Sequence, residues 1–419
     1  MRQMKDSGIG WVHQIPAHWG TIKGKYVFTN DKVVVGAKVE DYERLALTMN
    51  GVIKRSKDDN EGLQPDKFDT YQILRENELV FKLIDLQNVS TSRVGLSPFT
   101  GIVSPAYIIL KAKKEIYPAF AEKYYLMMWM NQVFNALGDA GVRSSLNATE
   151  LQELSLPLPP IDEQRAIAAY LDEQCGKIDS VIADVQAQID TLEEYKKSII
   201  TEAVTKGLNP DVEMKDSGID YIGNIPTGWD CDRGKYIFKY MQKPVLPDDD
   251  VITCFRDGEV TLRSNRREEG FTISEKEIGY QGIDVGDLIV HGMDGFAGAI
   301  GISDSRGKAS PVLNVLETEY SKRYYMYFLR TMAYRGVFIA LSTGIRVRTC
   351  DTNWGKLRDI YYAIPPKAEQ EQIAKYLDQK IAETDSVIAD KQAQIETLEA
   401  FKKSLIYEYV TGKKEVPAV

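Results

Sequence analysis

The chain states one frame twice. Met4–Trp19, MKDSGIGWVHQIPAHW, returns as Met214–Trp229, MKDSGIDYIGNIPTGW, displaced by 210 positions. LPPIDEQRAIAAYLDEQ from Leu158 returns as IPPKAEQEQIAKYLDQK from Ile364, and IDSVIADVQAQIDTLEEYKKSII from Ile178 returns as TDSVIADKQAQIETLEAFKKSLI from Thr384, both displaced by 206. Between these stretches the halves are nearly unrelated. Solenoid units repeat over roughly 20–50 residues, so this period is too long for one. A duplicated frame around two diverged inserts is the plan of a protein that presents two different recognition surfaces at a fixed separation.

The spacers carry the clearest periodicity. In the first, Leu171, Ile178, Val185, Leu192 and Ile199 recur at heptad spacing, with Ala168, Cys175, Ile182 and Ile189 as the companion set. This is an a/d seam over about four heptads. Pro157, Pro159 and Pro160 end what precedes it, Asp162 is placed to cap the helix and Glu163 to favour its positive end. Gly207 and Pro210 stop it. At about 1.5 Å per residue, such a helix is a rod of roughly 60 Å. The second spacer keeps a positions at Ala374, Ile381, Ile388 and Ile395 and d positions at Leu377, Leu398 and Leu405, but has Thr384 and Lys391 at two d sites. A long helix with an apolar stripe must bury it, and each spacer's natural partner is the other. Packing on its own domain is the ordinary alternative.

With 419 residues, 43% of them hydrophobic and 27% charged, the chain has room for two or three domains with real cores and does not have a disordered composition. The boundaries read as a globular module at 1–155, a helical spacer at 156–212, a second module at 213–360 and a second spacer at 361–419. Strand-like runs include Leu79–Leu83, Ile102–Leu110, Asp287–Val290 and Val312–Leu316. Aromatic-rich helical stretches run from Pro118 to Leu137 and from Tyr320 to Arg330, and their tyrosines are expected in the helix core. The modules are thus mixed α and β. No run approaches the roughly 18–20 apolar residues that span a bilayer, and Met1–Gly10 has no apolar signal region, so a cytoplasmic location is expected.

Catalytic signatures are missing. Gly301 to Gly307–Lys308 approaches a phosphate loop but has the wrong spacing, with Ala309 where a hydroxyl is needed, and no G-x-G-x-x-G opens a helix after a strand. His13, His18 and His291 make no metal-spaced set. Cys175, Cys231, Cys254 and Cys350 form no C-x-x-C pair and read as buried thiols. No N/D-P-P-Y/F motif for amine methylation occurs. Asp248, Asp249 and Asp250 lack the partner residues of a nuclease and read as a solvated acidic loop. The net charge of −9 argues against a protein that simply coats nucleic acid, while leaving room for local basic faces.

The frame resembles the specificity subunit of type I restriction–modification systems. The matching features are K-D-S-G-I…I-P-x-x-W, P-P-x-x-E-Q-x-x-I-A-x-Y-L-D at Pro159–Asp172 and Pro365–Asp378, and E-x-x-K-K-S-I/L-I at Glu193–Ile200 and Glu399–Ile406, each present twice and in order along the whole chain. The resemblance implies an α+β fold with a pseudo-twofold internal repeat. Two mixed α/β target-recognition domains would be separated by two long helices forming an antiparallel coiled coil. Each domain would read one half of a bipartite target in double-stranded DNA, and the coiled coil would set the gap. Two adenine methyltransferase subunits would dock on the frame, and two restriction subunits could join them. No cofactor is expected in this chain; S-adenosylmethionine, ATP and magnesium would belong to those partners. A coiled-coil scaffold that reads no DNA is the other reading of the same features. A stand-alone nuclease or modification enzyme would need the motifs that are missing.

Base readout needs Arg, Lys, Asn, Gln and hydroxyl side chains on loops that reach the major groove, and phosphate contacts need cations and backbone amides. Three places in each module offer them. The loop before each spacer carries Arg143, Ser144 and Ser145, matched by Arg346 and Arg348. An earlier basic loop carries Lys54, Arg55 and Lys57, matched by Arg263, Arg266 and Arg267. A strand and its following turn carry Lys82, Gln87, Asn88 and Arg93, matched by His291. Gln87 and Asn88 are the types that pair with adenine edges. The opening segments match between halves and are expected to be frame, with Trp19 and Trp229 as packing anchors.

Overall fold

Each spacer helix starts directly after a proline pair that ends a β-strand. In the computed structural model, which describes residues 2–59, 67–84, 86, 93–137, 145–266, 277–340 and 352–417, the helices are Ile161–Lys206 and Lys367–Val410. The strands before them, Ser155–Leu158 and Tyr361–Ile364, pair antiparallel with Gly20–Lys23 and Asp230–Arg233. Asp162 therefore lies inside the first helical turn and is not the cap expected of it; Gln164 N–H already donates to the Pro160 carbonyl.

The repeated Glu-Gln of the motif ties this junction together. Gln164 is fully buried: its amide donates to the carbonyls of Pro159 (2.9 Å) and Glu115 (3.2 Å), and its oxygen accepts from Tyr117 N–H (2.7 Å). Gln370, also fully buried, donates to Pro365 (2.8 Å) and accepts from Ser321 N–H (3.0 Å). The glutamates anchor the buried tryptophans: Trp19 Nε1 donates to Glu163 at 3.0 Å and Trp229 Nε1 to Glu369 at 2.9 Å. Helix ends close the same contacts. Gly207 and Gly412 adopt φ of +77° and +70°, which glycine takes without strain, and a Cβ on Gly412 would come within 2.5 Å of Pro16.

The chain divides into two compact units, 1–185 with 393–419, and 186–392. In the first, the chain's two ends are neighbours, with Arg2 Nε 3.2 Å from Glu415. Its helical seam buries Leu171, Cys175, Ile178, Val185 and Leu405, with Asp179 bound to Lys402 at 2.6 Å. In the second unit the seam buries Ile189, Ala374 and Leu377, while Lys196 meets Asp385 at 2.6 Å and Lys391 meets Gln188 at 2.5 Å. In each unit the paired positions run in opposite directions along the two helices. The polar d residues are accommodated differently. Thr384 is buried and returns its hydroxyl to the Lys380 carbonyl (2.8 Å), whereas Lys391 stays half-buried and reaches across to Gln188.

Unit 1 has two four-stranded sheets. One orders Gly51–Arg55, Arg44–Thr48, Gly101–Val103 and Gln72–Leu74; the other orders Phe28–Thr29, Ile108–Ala112, Leu79–Lys82 and Arg93–Leu96. The apolar run Ile102–Leu110 is thus two strands in two sheets, because Ser104–Tyr107 forms a turn closed by Tyr107 N–H on the Ser104 carbonyl. The helix expected from Pro118 to Leu137 is two, Pro118–Met130 and Val133–Leu137, broken where Gln132 takes φ +55°. Unit 2 has a four-stranded sheet ordering Lys239–Met241, Leu313–Glu317, Leu288–His291 and Ile300–Ile302, backed by helix Lys322–Tyr334. Tyr124, Tyr125, Tyr324 and Tyr325 are all fully buried in the cores.

An ion network braces unit 2. Arg306 forks onto Asp249 (2.9 and 2.7 Å) and reaches Asp284 (2.5 Å), while Lys243 bonds Asp284 and Asp287 at 2.7 Å. Within the acidic loop Asp248 and Asp250 are exposed, as its composition implied, whereas Asp249 is buried against Arg306. The Arg306 hydrogen bonds hold the Asp249 carboxyl below its ordinary value, and Lys243 followed by Arg306 does the same for Asp284. Depressed folded pKa values contribute stability above the unfolded carboxylate pKa of about 3.9 that is lost as pH falls through the folded values. Unit 2 is therefore expected to lose stability as pH drops below about 4, and Arg306→Met to flatten that dependence, read by urea unfolding across a pH series. Gln370→Ala strands a buried carbonyl and a buried N–H and is expected to cost about 3 kcal/mol. Hydrogen exchange should place that loss in unit 2 and leave unit 1 unchanged.

Candidate nucleic-acid interface

The diverged part of unit 2 contains a groove of about 690 Å³. One wall is the hairpin Ile252–Cys254/Val260–Leu262 with its Phe255–Asp257 turn and the short helix Arg263–Arg266; the other is the end of strand Leu288–His291 and the turn through Asp294. Arg263, Arg266 and His291, nominated from two separate sequence segments, all line it, together with Arg256 and Tyr280.

The cations there are moderated by carboxylates. Arg266 meets Asp257 at 2.6 Å and Glu259 at 2.9 Å and lies 4.1 Å over the Phe255 ring. Burial works to raise the Asp257 carboxyl, but Arg266 and local N–H donors leave it below its ordinary value. Arg256 pairs with Asp294 at 2.8 Å, and Arg263 Nε lies 3.4 Å from the Thr253 hydroxyl. Further out, Lys308 pairs with Glu277 at 2.8 Å.

His291 is held from both ends. Its carbonyl accepts from the Thr352 hydroxyl (2.7 Å), and its Nδ1 accepts from the backbone N–H groups of Met293 (3.2 Å) and Asp294 (3.0 Å). Burial lowers its pKa, against an upward pull from Asp294 and with a further push down from Arg256. Thr352 N–H also donates to the Gly292 carbonyl (2.7 Å), so the chain entering from the loop before the spacer is pinned to the His291 turn. Unit 1 repeats this connection: Ser145 bridges Ile84, and Leu146 N–H donates to the Leu83 carbonyl at 3.1 Å. In both units the described residues on the spacer side of that loop, Ser145 and Leu146 or Thr352, thus bond the end of the nominated strand, at Leu83 and Ile84 or at His291 and Gly292.

The remaining nominated residues of unit 1 are spread out. Lys54 pairs with Glu43 and sits 5.2 Å over Phe99, Arg55 pairs with Asp59, and Lys57 bonds the Val39 carbonyl (2.8 Å) and Glu40 (3.1 Å). Lys82 and Arg93 are opposite one another on paired strands. Arg93, nominated with the strand turn, begins its strand and lies 4.9 Å over Trp129, in a groove of about 590 Å³ shared with Met49, Asp179 and Lys402. Burial lowers its pKa. Gln87, Asn88, Arg143, Ser144, Arg267, Arg346 and Arg348 lie outside the described residues. Sequence reasoning passed over Arg256 because a lone arginine in a C-F-R-D-G turn carries no charge-run signal; the D-G turn beside it was the available cue. Among the described residues no group of three or more His, Cys, Asp or Glu could hold a metal, and no helix is long and apolar enough to cross a membrane.

Two diverged α/β modules on a duplicated helical frame, one with a cation-lined groove, define a modular recognition protein. Residues 24–191 match the family of type I restriction modification DNA specificity domains. The chain is 26% identical over 319 residues to a putative type I restriction enzyme MjaX specificity subunit of Methanocaldococcus jannaschii, covering 70% of this chain and 69% of that one. It is 25% identical over 288 residues to the type I restriction enzyme EcoBI specificity subunit of Escherichia coli, covering 63% and 59%. In fold it is similar to a chain solved in work on complex assembly and conformational transition of the type I R-M system, with a TM-score of 0.65 at 12% identity over 96% of this chain and 99% of that one. Residues 24–191 thus match a type I restriction modification DNA specificity domain, and over most of its length the chain is similar to specificity subunits of type I restriction enzymes.

The carboxylates around Arg266 set a testable limit on its attraction for phosphate. Asp257→Asn combined with Glu259→Gln is expected to steepen the salt dependence of DNA binding by about one unit in log K against log salt. Anisotropy titrations across a salt series check this.

Proposed function

We propose that this chain is the non-catalytic reader of a type I complex. Residues 1–155 and 213–360 would each read one half of a split target in double-stranded DNA, and the two spacer helices would fix the unspecified gap between the halves. The observation that carries this reading is the division of labour in unit 2. The repeated residues are engaged in the frame, as with Trp229, Glu369 and Gln370, while the diverged residues Arg256, Arg263 and His291 converge on an open groove. That is how a common scaffold carries interchangeable recognition surfaces. The frame docks two adenine methyltransferase subunits in this reading. They supply S-adenosylmethionine binding and the methyl transfer, and restriction subunits using ATP and magnesium can join. The duplicated frame supports two copies of one partner, because the same surface chemistry occurs twice.

Co-expression with the partner methyltransferase in a host lacking adenine methylation, followed by single-molecule mapping of modified adenines, tests the proposal. The expected result is a bipartite motif with a fixed gap that disappears when this chain is omitted. Arg256→Glu is expected to weaken DNA binding at least tenfold, since it places a carboxylate against the phosphates or base acceptors the groove would meet. It should leave methyltransferase association intact, as measured by co-purification. A scaffold that reads no DNA would show no new methylation with the partner bound and active.

A further inference from the structure

The His291 ring is fixed in one protonation state by its own turn. Two backbone N–H groups, of Met293 and Asp294, point at Nδ1 at 3.2 and 3.0 Å, so that nitrogen must present its lone pair. The ring proton is then on Nε2. Among the described residues Nε2 has no hydrogen-bond partner and is not sealed from solvent, and the side chain lines the groove. Charging the ring would set a third N–H against the two backbone donors, so the turn and the cation exclude each other. Of the charged groups around it, Asp294 favours the cation, and burial together with Arg256 outweighs it.

A neutral single donor behaves differently from the arginines beside it. It releases no counterion and so adds nothing to sequence-independent attraction. Its full effect appears only when an acceptor stands opposite. In the major groove the acceptors are purine N7, guanine O6 and thymine O4; adenine N6 and cytosine N4 are donors that would meet Nε2–H head on. Thymine O4 is flanked by the C5-methyl group, which crowds a ring whose position is set by two backbone bonds, whereas purine N7 carries no such neighbour.

We propose that His291 is a specificity-determining residue that reads one purine of the half-site belonging to residues 213–360, donating Nε2–H to its N7. This rests on the reading of the groove as a DNA-reading face. The strand end, the turn and the Thr352 contact together hold the donor in one place, as base discrimination requires.

The test uses the full chain with its methyltransferase partner and duplexes carrying the mapped motif, in which each purine of that half-site is replaced singly by its 7-deaza analogue. For the unmodified chain, one position is expected to lose about tenfold in binding. His291→Asn keeps the turn, because an asparagine oxygen accepts the N–H groups two and three residues on, as Asn147 does for Thr149 (2.9 Å) and Glu150 (3.0 Å). It also draws the donor back from the groove. In this variant the loss at that position should shrink to less than about twofold. An undiminished 7-deaza loss in the variant, or no sensitive position at all, overturns the assignment. If Arg256→Ala changes the mapped motif while His291→Asn does not, only the His291 role falls. If neither changes it, the groove is not a reading face and the functional proposal for this module falls with it.

Discussion

One glutamine amide at each spacer start holds the frame together. Gln164 and Gln370 have no exposed surface, and each joins the carbonyl before its own helix to a backbone N–H at the start of the module's aromatic helix. A buried amide of this kind contributes modestly when paired and costs much more when any partner is lost. The residue is therefore fixed by the backbone on both sides of it. The neighbouring glutamate adds a second bond, to the indole of Trp19 or Trp229. Helix, opening segment and module core meet within one helical turn, which explains why P-P-x-x-E-Q and I-P-x-x-W recur together.

This concentration of constraint leaves the inserts free. Once the junction is fixed by backbone carbonyls and N–H groups, the residues between need only fill a core and close a sheet. The two units do so differently. Unit 1 places Gly51–Arg55 and Arg44–Thr48 in a four-stranded sheet, whereas the basic segment of unit 2, the helix Arg263–Arg266, follows a separate two-stranded hairpin, Ile252–Cys254 with Val260–Leu262. In both, however, the chain returning toward the spacer is bonded to the same strand turn, by Ser145 and Leu146 in one and Thr352 in the other. Anchoring the chain on the spacer side of the diverged segment lets that segment vary in sequence without disturbing the junction, which is the physical requirement for evolving new specificity on an old scaffold.

The frame was legible because its signals are local: a heptad, a proline pair, a glycine stop. The polar d residues Thr384 and Lys391 could be seen to weaken the seam, but not that Lys391 would reach Gln188. The modules were less legible. Ile102–Leu110 reads as one strand by hydrophobicity, and only the Ser104–Tyr107 turn, a tertiary choice, divides it between two sheets. Of the site, Arg263, Arg266 and His291 were nominated by residue type from two of the three segments, and their convergence on one groove is what the fold adds; the third segment, with Arg346 and Arg348, lies outside the described residues. Which cations remain available could not be read, because pairing depends on where distant carboxylates fold. Arg93 shows the same limit: nothing among its sequence neighbours points to its stacking on Trp129.

The pairing of these cations bears on how an acidic chain can be selective. Free cations bind phosphate at every site alike, raising affinity for wrong sequences as much as right ones. A cation already matched by a carboxylate gains less from a phosphate, because it must give up or share its partner. Arg256 with Asp294, Arg266 with Asp257 and Glu259, Lys54 with Glu43 and Arg55 with Asp59 are all in this condition. The net charge of −9 acts in the same direction. What such a surface retains is the geometry of its donors, and geometry is rewarded only by a complementary base edge. Muting the general attraction therefore increases the ratio of specific to non-specific binding, the quantity on which finding one site among many depends.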